Sequence, residues 1–131
     1  MKPALSEWHF ESACATTARA ARAGFADHLR EFATRDSDIE AAEIIFGELI
    51  GNVLRHAPGP IQIDVDWTKE RRARLRIHDT GPRFQCNPSL PSDSVQSGRG
   101  LYIVASLAHE LRVSRRDSGS TVTAVLPVIA G

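Results

Sequence analysis

Glu48-Leu49-Ile50-Gly51-Asn52 places a carboxylate and a carboxamide four residues apart. On a helix such residues stand one turn above each other and project together. An amide oxygen is a neutral hard ligand suited to Mg²⁺. A neighbouring carboxylate can take a proton from an attacking hydroxyl or water. His56 continues the line by one further turn. The same residues also suit a polar boundary stripe with a local hydrogen bond, and His56 suits a cation at a helix C-terminus.

Two more groups have chemical potential. Asp79-Thr80-Gly81 follows a strand pattern. An Asp at a strand end can accept a hydrogen bond from an exocyclic amine such as that of adenine. A glycine lets a flat ring approach the backbone. The plainer reading is a turn, for which Asp and Gly are ordinary residues. Gly98-Arg99-Gly100-Leu101 precedes a helical pattern. Backbone N–H groups exposed at a helix start, with the helix dipole behind them, favour an anion such as a triphosphate. It also suits a flexible loop end. No Gly-Lys-Ser/Thr follows, so it is not a Walker P-loop.

The elements that must position these groups can be read from periodicity. Trp8 and Phe10, two apart in 6–12, predict a short strand. The alanine-rich run 14–33 predicts a helix despite Gly24. Ser37 with Glu40 is a capping-box pattern opening a helix over about 38–56. Ile39, Ala42, Phe46, Leu49, Ile50 and Val53 recur on one face of it, and Ala57-Pro58-Gly59-Pro60 ends it. Alternation over 61–67 and 73–78 predicts two strands joined as a hairpin through Thr68 to Arg72. Residues 80–98 read as a long loop of the kind that often serves as a lid. A third helix is expected over 99–109. Two last strands, 111–116 and 120–126, meet at Asp117-Ser118-Gly119. The expected fold is a two-layer α/β (α+β) sandwich, with a mixed sheet of about five strands and about three helices on one face.

The bulk composition bounds the partners. The chain has 131 residues, which suits one domain spanning 1–131. Sixteen basic and sixteen acidic residues cancel. That balance gives no electrostatic footprint for direct nucleic-acid binding. Cys14 and Cys86 are the two cysteines. Two free thiols in a reducing compartment is the simpler reading, though a disulfide stays open. Neither a signal peptide nor a membrane-length apolar run is visible, so a cytoplasmic protein without a membrane partner is expected.

Taken in order, these motifs resemble the ATP-binding boxes of the Bergerat-fold (GHKL) ATPases. Glu48, Asn52 and His56 are similar to the asparagine box. Asp79-Thr80-Gly81 resembles the first glycine box, and Gly98-Arg99-Gly100-Leu101 the second. Gly119-Ser120-Thr121 resembles the closing Gly-Thr element. The run GRGLYIVASLAHEL and the short length look most like the anti-sigma-factor serine/threonine kinases of bacterial partner-switching systems.

The resemblance implies roles. Asn52 would hold Mg²⁺ bridging the phosphates of ATP. Glu48 would be the catalytic base toward a substrate serine or threonine. Asp79 would read the adenine amine, with Gly81 under the ring and Ser120 near it. Gly98, Arg99, Gly100 and Leu101 would line the phosphates. The implied partners are a small anti-sigma-factor antagonist protein and a sigma factor. One departure stands out: Arg83 occupies the position where the family usually has a glycine before Phe84. A binding module of the same fold, holding ATP or nothing and acting by sequestration, is therefore the alternative. A sensor histidine kinase fragment fits less well, because little chain precedes the Glu48 helix to supply a phosphoacceptor hairpin. Asp64, Asp66, Arg74, Arg76 and Arg112 would share the outer sheet face, either solvated or as a homodimer or partner surface.

Overall fold

The computed structural model describes residues 5–10, 15–56, 60–79, 102–116 and 119–131. Strand β1 (Ser6–Phe10) leads to helices α1 (Ala15–Phe32) and α2 (Ile39–His56). The hairpin of β2 (Ile61–Trp67) and β3 (Arg72–Asp79) follows. Residues 102–107 form a short helix, α3. Strands β4 (Glu110–Arg116) and β5 (Gly119–Ile129) complete the order. The expected start of α3 at 99 and the loop 80–98 lie outside the described residues, as do Cys14 and Cys86.

The five strands are ordered β1-β2-β3-β5-β4. The two-layer sandwich is as expected, but the sheet is not mixed: every described neighbour pair is antiparallel. The segment between β3 and β4 does return the chain parallel to its start. However, β5 inserts between those two strands and separates them. Side chains of α1, α2 and α3 form one cluster with the inner sheet residues Ile61, Ile63, Val65, Ala73, Leu75 and Ile77. The helices therefore share one face. Phe25 of α1 stacks on Phe46 of α2 with ring centroids 4.5 Å apart. Truncating either to Ala removes a buried ring and costs about 3–5 kcal/mol.

Local chemistry explains the joints. Helix α2 is capped by Asp38, not Ser37: Ala41 N–H donates to Asp38 Oδ1 at 3.0 Å. The expected capping box does not form, because Ser37 has turned to the last strand. Its Oγ accepts from Ile129 N–H at 2.9 Å and donates to Ile129 O at 3.2 Å. Gly24 sits mid-helix because Trp8 packs against it; a Cβ there would lie 2.9 Å from the indole nitrogen. At the β2–β3 turn Arg71 adopts a left-handed φ of 66°. Its guanidinium donates to Gly131 O at 2.6 Å, which ties the end of β5 to this turn. Between Arg74 and Arg72, β5 runs from Val125 to Ile129, so it carries two extra residues in a bulge. Pro127, which has no N–H for the ladder, falls in that bulge. No helix among the described residues is long and apolar enough to cross a membrane.

Candidate functional site

Helix α2 buries Ala41, Ala42, Ile45, Phe46, Leu49 and Ile50. Glu48 and Asn52 lie on the shoulder of that face, both half-buried. On the opposite flank, Glu43 accepts from Arg30 of α1 at 3.5 Å. Five residues of helix separate Glu43 from Glu48, which turns the side chain by roughly 140°. Glu48 therefore faces away from α1. Asn52 lies one turn before the end of α2 at His56, and β2 starts at Ile61 soon after. The chain reversal brings the C-terminal turn of α2 to the Ile61 end of the sheet.

That end also holds the second group. Ile61 pairs with Asp79, and Asp79 pairs with Ser120. Asp79 shares the sheet face of Leu75 and Ile77, the face under the helices. Asp79 and Ser120, from motifs about forty residues apart in the chain, thus stand side by side beneath the end of α2. Gly119, next to Ser120, is buried with φ of 135°, a conformation that favours glycine. The structure pairs Asp79 with Ser120 at one end of the sheet, and α2, which carries Asn52 near its C-terminus and Glu48 one turn back, ends shortly before β2 starts at that same end. Gly81, Arg83, Gly98, Arg99, Gly100 and Leu101 lie outside the described residues, as does the side chain of His56.

Ile61 is a member of the site that periodicity alone marks only as a strand residue. It is 4% exposed and is the cross-strand partner of Asp79, which sets an apolar side chain next to the acidic one. The register of the β2–β3 hairpin is the signal that locates it. An aromatic base needs this combination of one acceptor and an apolar surface. Helix α3 leads into β4 at Glu110, which pairs with Val125 at the end of the sheet away from Ser120. The described residues contain no cluster of three or more His, Cys, Asp or Glu able to cage a cation. A magnesium ion bound at Asn52 would draw its remaining ligands from phosphate oxygens and water, which suits a metal arriving with a nucleotide.

The outer sheet face is wet and charged. Arg74 donates through Nε to Asp66 Oδ1 at 2.8 Å and through Nη2 to Oδ2. This bond holds the guanidinium pKa above its usual value. His78 Nδ1 lies 2.7 Å from Thr121 Oγ1 on the same face. On the inner face His28 is buried between β1 and β2. Trp67 Nε1–H donates to His28 Nε2 at 3.2 Å, so Nδ1 carries the proton and donates to Ser6 Oγ at 2.8 Å. Burial pushes the His28 pKa below its ordinary value, partly opposed by Glu31.

Known proteins share the architecture of this chain. The family model of the histidine kinase-like ATPase domain matches residues 10–126. No curated protein sequence matches the chain. Among solved structures, the histidine kinase AdeS of Acinetobacter baumannii superposes with a TM-score of 0.52 at 15% identity, over 97% of this chain and 68% of that one. The blue-light activated histidine kinase of Erythrobacter litoralis gives 0.53 at 25% identity, over 72% of this chain and 33% of that one. The histidine kinase domain of that protein gives 0.52 at 19% identity, over 85% and 65%. The chain thus spans from one third to about two thirds of those chains, and the likeness to them is one of fold.

Proposed function

The chain belongs to the family of histidine kinase-like ATPase domains, and from that premise we propose that it is an ATP- and Mg²⁺-dependent protein serine/threonine kinase of the anti-sigma-factor type. In this reading it works in the cytoplasm, phosphorylates a serine on a small antagonist protein and sequesters a sigma factor. The observation that carries the nucleotide half is the side-by-side placement of Asp79 and Ser120 at the α2 end of the sheet. The observation that carries the kinase half is Glu48, half-buried one turn from Asn52 on the flank turned away from α1.

Each residue then has a task. Asp79 accepts a hydrogen bond from the adenine amine, and Ile61 offers the base an apolar surface. Asn52 presents its amide oxygen to the metal. Glu48 orients the attacking hydroxyl and takes its proton. Mg²⁺ held by Asn52 would supply charge neutralisation at the phosphates, and the chain's own residues would supply positioning, as phosphoryl transfer requires. Gly98, Arg99, Gly100 and Leu101 are assigned to the phosphates from their motif.

The second reading is a module of the same fold that binds ATP without transfer and acts by sequestering a partner. Arg83 at the start of the lid segment favours it, because a side chain there replaces a flexible hinge. Incubation with γ-labelled ATP, Mg²⁺ and small antagonist proteins encoded nearby separates the two. Label on a serine of the added protein supports the kinase. Saturable ATP binding with no label supports the module.

A further inference from the structure

Strand β4 forms one border of the sheet: β5 takes one of its edges, and among the described residues nothing pairs with the other. It runs for seven residues, against five for β1 at the opposite border. An unpaired edge offers its N–H and C=O groups to another strand. Val113, in mid-strand, is 46% exposed, although its cross-strand partner Val122 packs against the core.

We propose that β4 pairs with β4 of a second copy of this chain, antiparallel about a two-fold axis at Val113, so that two sheets join edge to edge.

The residue order of the strand, Glu110-Leu111-Arg112-Val113-Ser114-Arg115-Arg116, carries the argument. Centred on Val113, the pairing sets valine opposite valine, Arg112 opposite Ser114, Leu111 opposite Arg115 and Glu110 opposite Arg116. No like charges are opposed, and the two ends match acid to base. Sliding by two residues in one direction sets Arg112 opposite Arg112. Sliding in the other direction sets Arg112 opposite Arg116. Like charges directly opposite destabilise a strand pair. A slip of one residue exchanges the sheet faces and mismatches both. Charges on an edge strand guard it against arbitrary partners. Among face-preserving registers that pair at least five residues of the strand, they leave one open.

The association gives up little. Arg112 Nε now donates to Glu110 Oε1 at 2.9 Å, with the two side chains 80% and 48% exposed. An exposed pair of this kind is worth about 0–1 kcal/mol. In return the two valines cover each other, and two-fold symmetry makes every other contact twice.

Sedimentation equilibrium of the wild-type chain is expected to give the mass of two chains. Val113→Asp places like charges at the axis and is expected to give the mass of one. Its exposure keeps the fold intact, which circular dichroism checks. Glu110→Arg and Arg116→Glu alone are each expected to weaken the dimer, and the two together to restore it. In a Cys14→Ser, Cys86→Ser background, Val113→Cys is expected to crosslink under mild oxidation, because opposed Cβ atoms in a strand pair lie about 4.5–5.5 Å apart. A single-chain mass for the wild type overturns the proposal. So does a dimer that survives Val113→Asp or leaves Val113→Cys uncrosslinked.

Discussion

Asp79 and Ser120 are direct cross-strand partners on the helix-covered face of the sheet, at the end reached by the last turn of α2. Neither belongs to the hydrophobic core, yet both share its face. Asp79→Ala is therefore expected to weaken ATP binding about ten- to hundredfold, the loss that follows from removing a hydrogen bond to a charged group. Calorimetry measures it. Unchanged affinity would return Asp79 to the role of a turn residue.

Asn52→Ala is expected to remove the magnesium dependence of nucleotide binding, because the metal loses its protein ligand. Titrations with and without a chelator make the comparison. Equal magnesium sensitivity in the variant and the wild type rules out Asn52 as the ligand.

Glu48→Gln preserves shape and removes the proton acceptor. ATP affinity is expected to hold while transfer falls by about 10²- to 10⁴-fold, the usual worth of a general base. Undiminished labelling of the substrate protein would contradict the assignment.

Two glycines of the helices predict opposite outcomes. Gly47 faces open space on α2, with nothing within 4 Å of an added Cβ. Gly47→Ala should stabilise the chain by about 0.8–1 kcal/mol through helix propensity. Gly24→Ala should destabilise it, because the new methyl meets Trp8 at 2.9 Å. Urea midpoints of the two variants test both signs.

His28 predicts a pH dependence. Its folded-state pKa is lowered, by burial first and against the smaller opposing effect of Glu31. The unfolded chain therefore takes up this proton at a higher pH than the folded chain. The contribution is complete above about pH 6.5, the ordinary histidine value, and is lost as pH falls through the folded value. Protonation also removes the acceptor for Trp67. Between pH 7.5 and 5.5 the wild type should lose more stability than His28→Gln. Parallel losses would show that His28 does not titrate in this window.

The parts of the fold legible in the sequence were those written in local periodicity. The apolar stripe of α2 and the alternation in β2 and β3 placed those elements within a residue or so. The cap of α2 was misread because Ser37 and Asp38 are both good caps, and a partner 92 residues away took the serine. The all-antiparallel sheet was not legible either. Strand neighbours depend on where β5 inserts, and no local pattern records that. The described members of the candidate site, Glu48 with Asn52, Asp79 and Ser120, were each legible only as parts of separate motifs. The placement of Asp79 beside Ser120 and of Ile61 beside Asp79 came from register alone.

The insertion of β5 has a consequence for how the chain is made. Synthesis delivers β1 to β4 first, and β4 then has no described strand to pair with until residues 119–129 appear. β5 follows β4 closely in the chain, but its pairing with β3 closes the long span from Asp79 to Gly119, and closing such a span slows folding. A nascent chain lacking this strand holds a three-stranded β1–β2–β3 unit and an orphan β4. The Asp79–Ser120 neighbourhood does not yet exist in it. Assembly of the candidate site is thereby tied to completion of the chain, and a product truncated before residue 119 lacks Ser120, the cross-strand partner of Asp79.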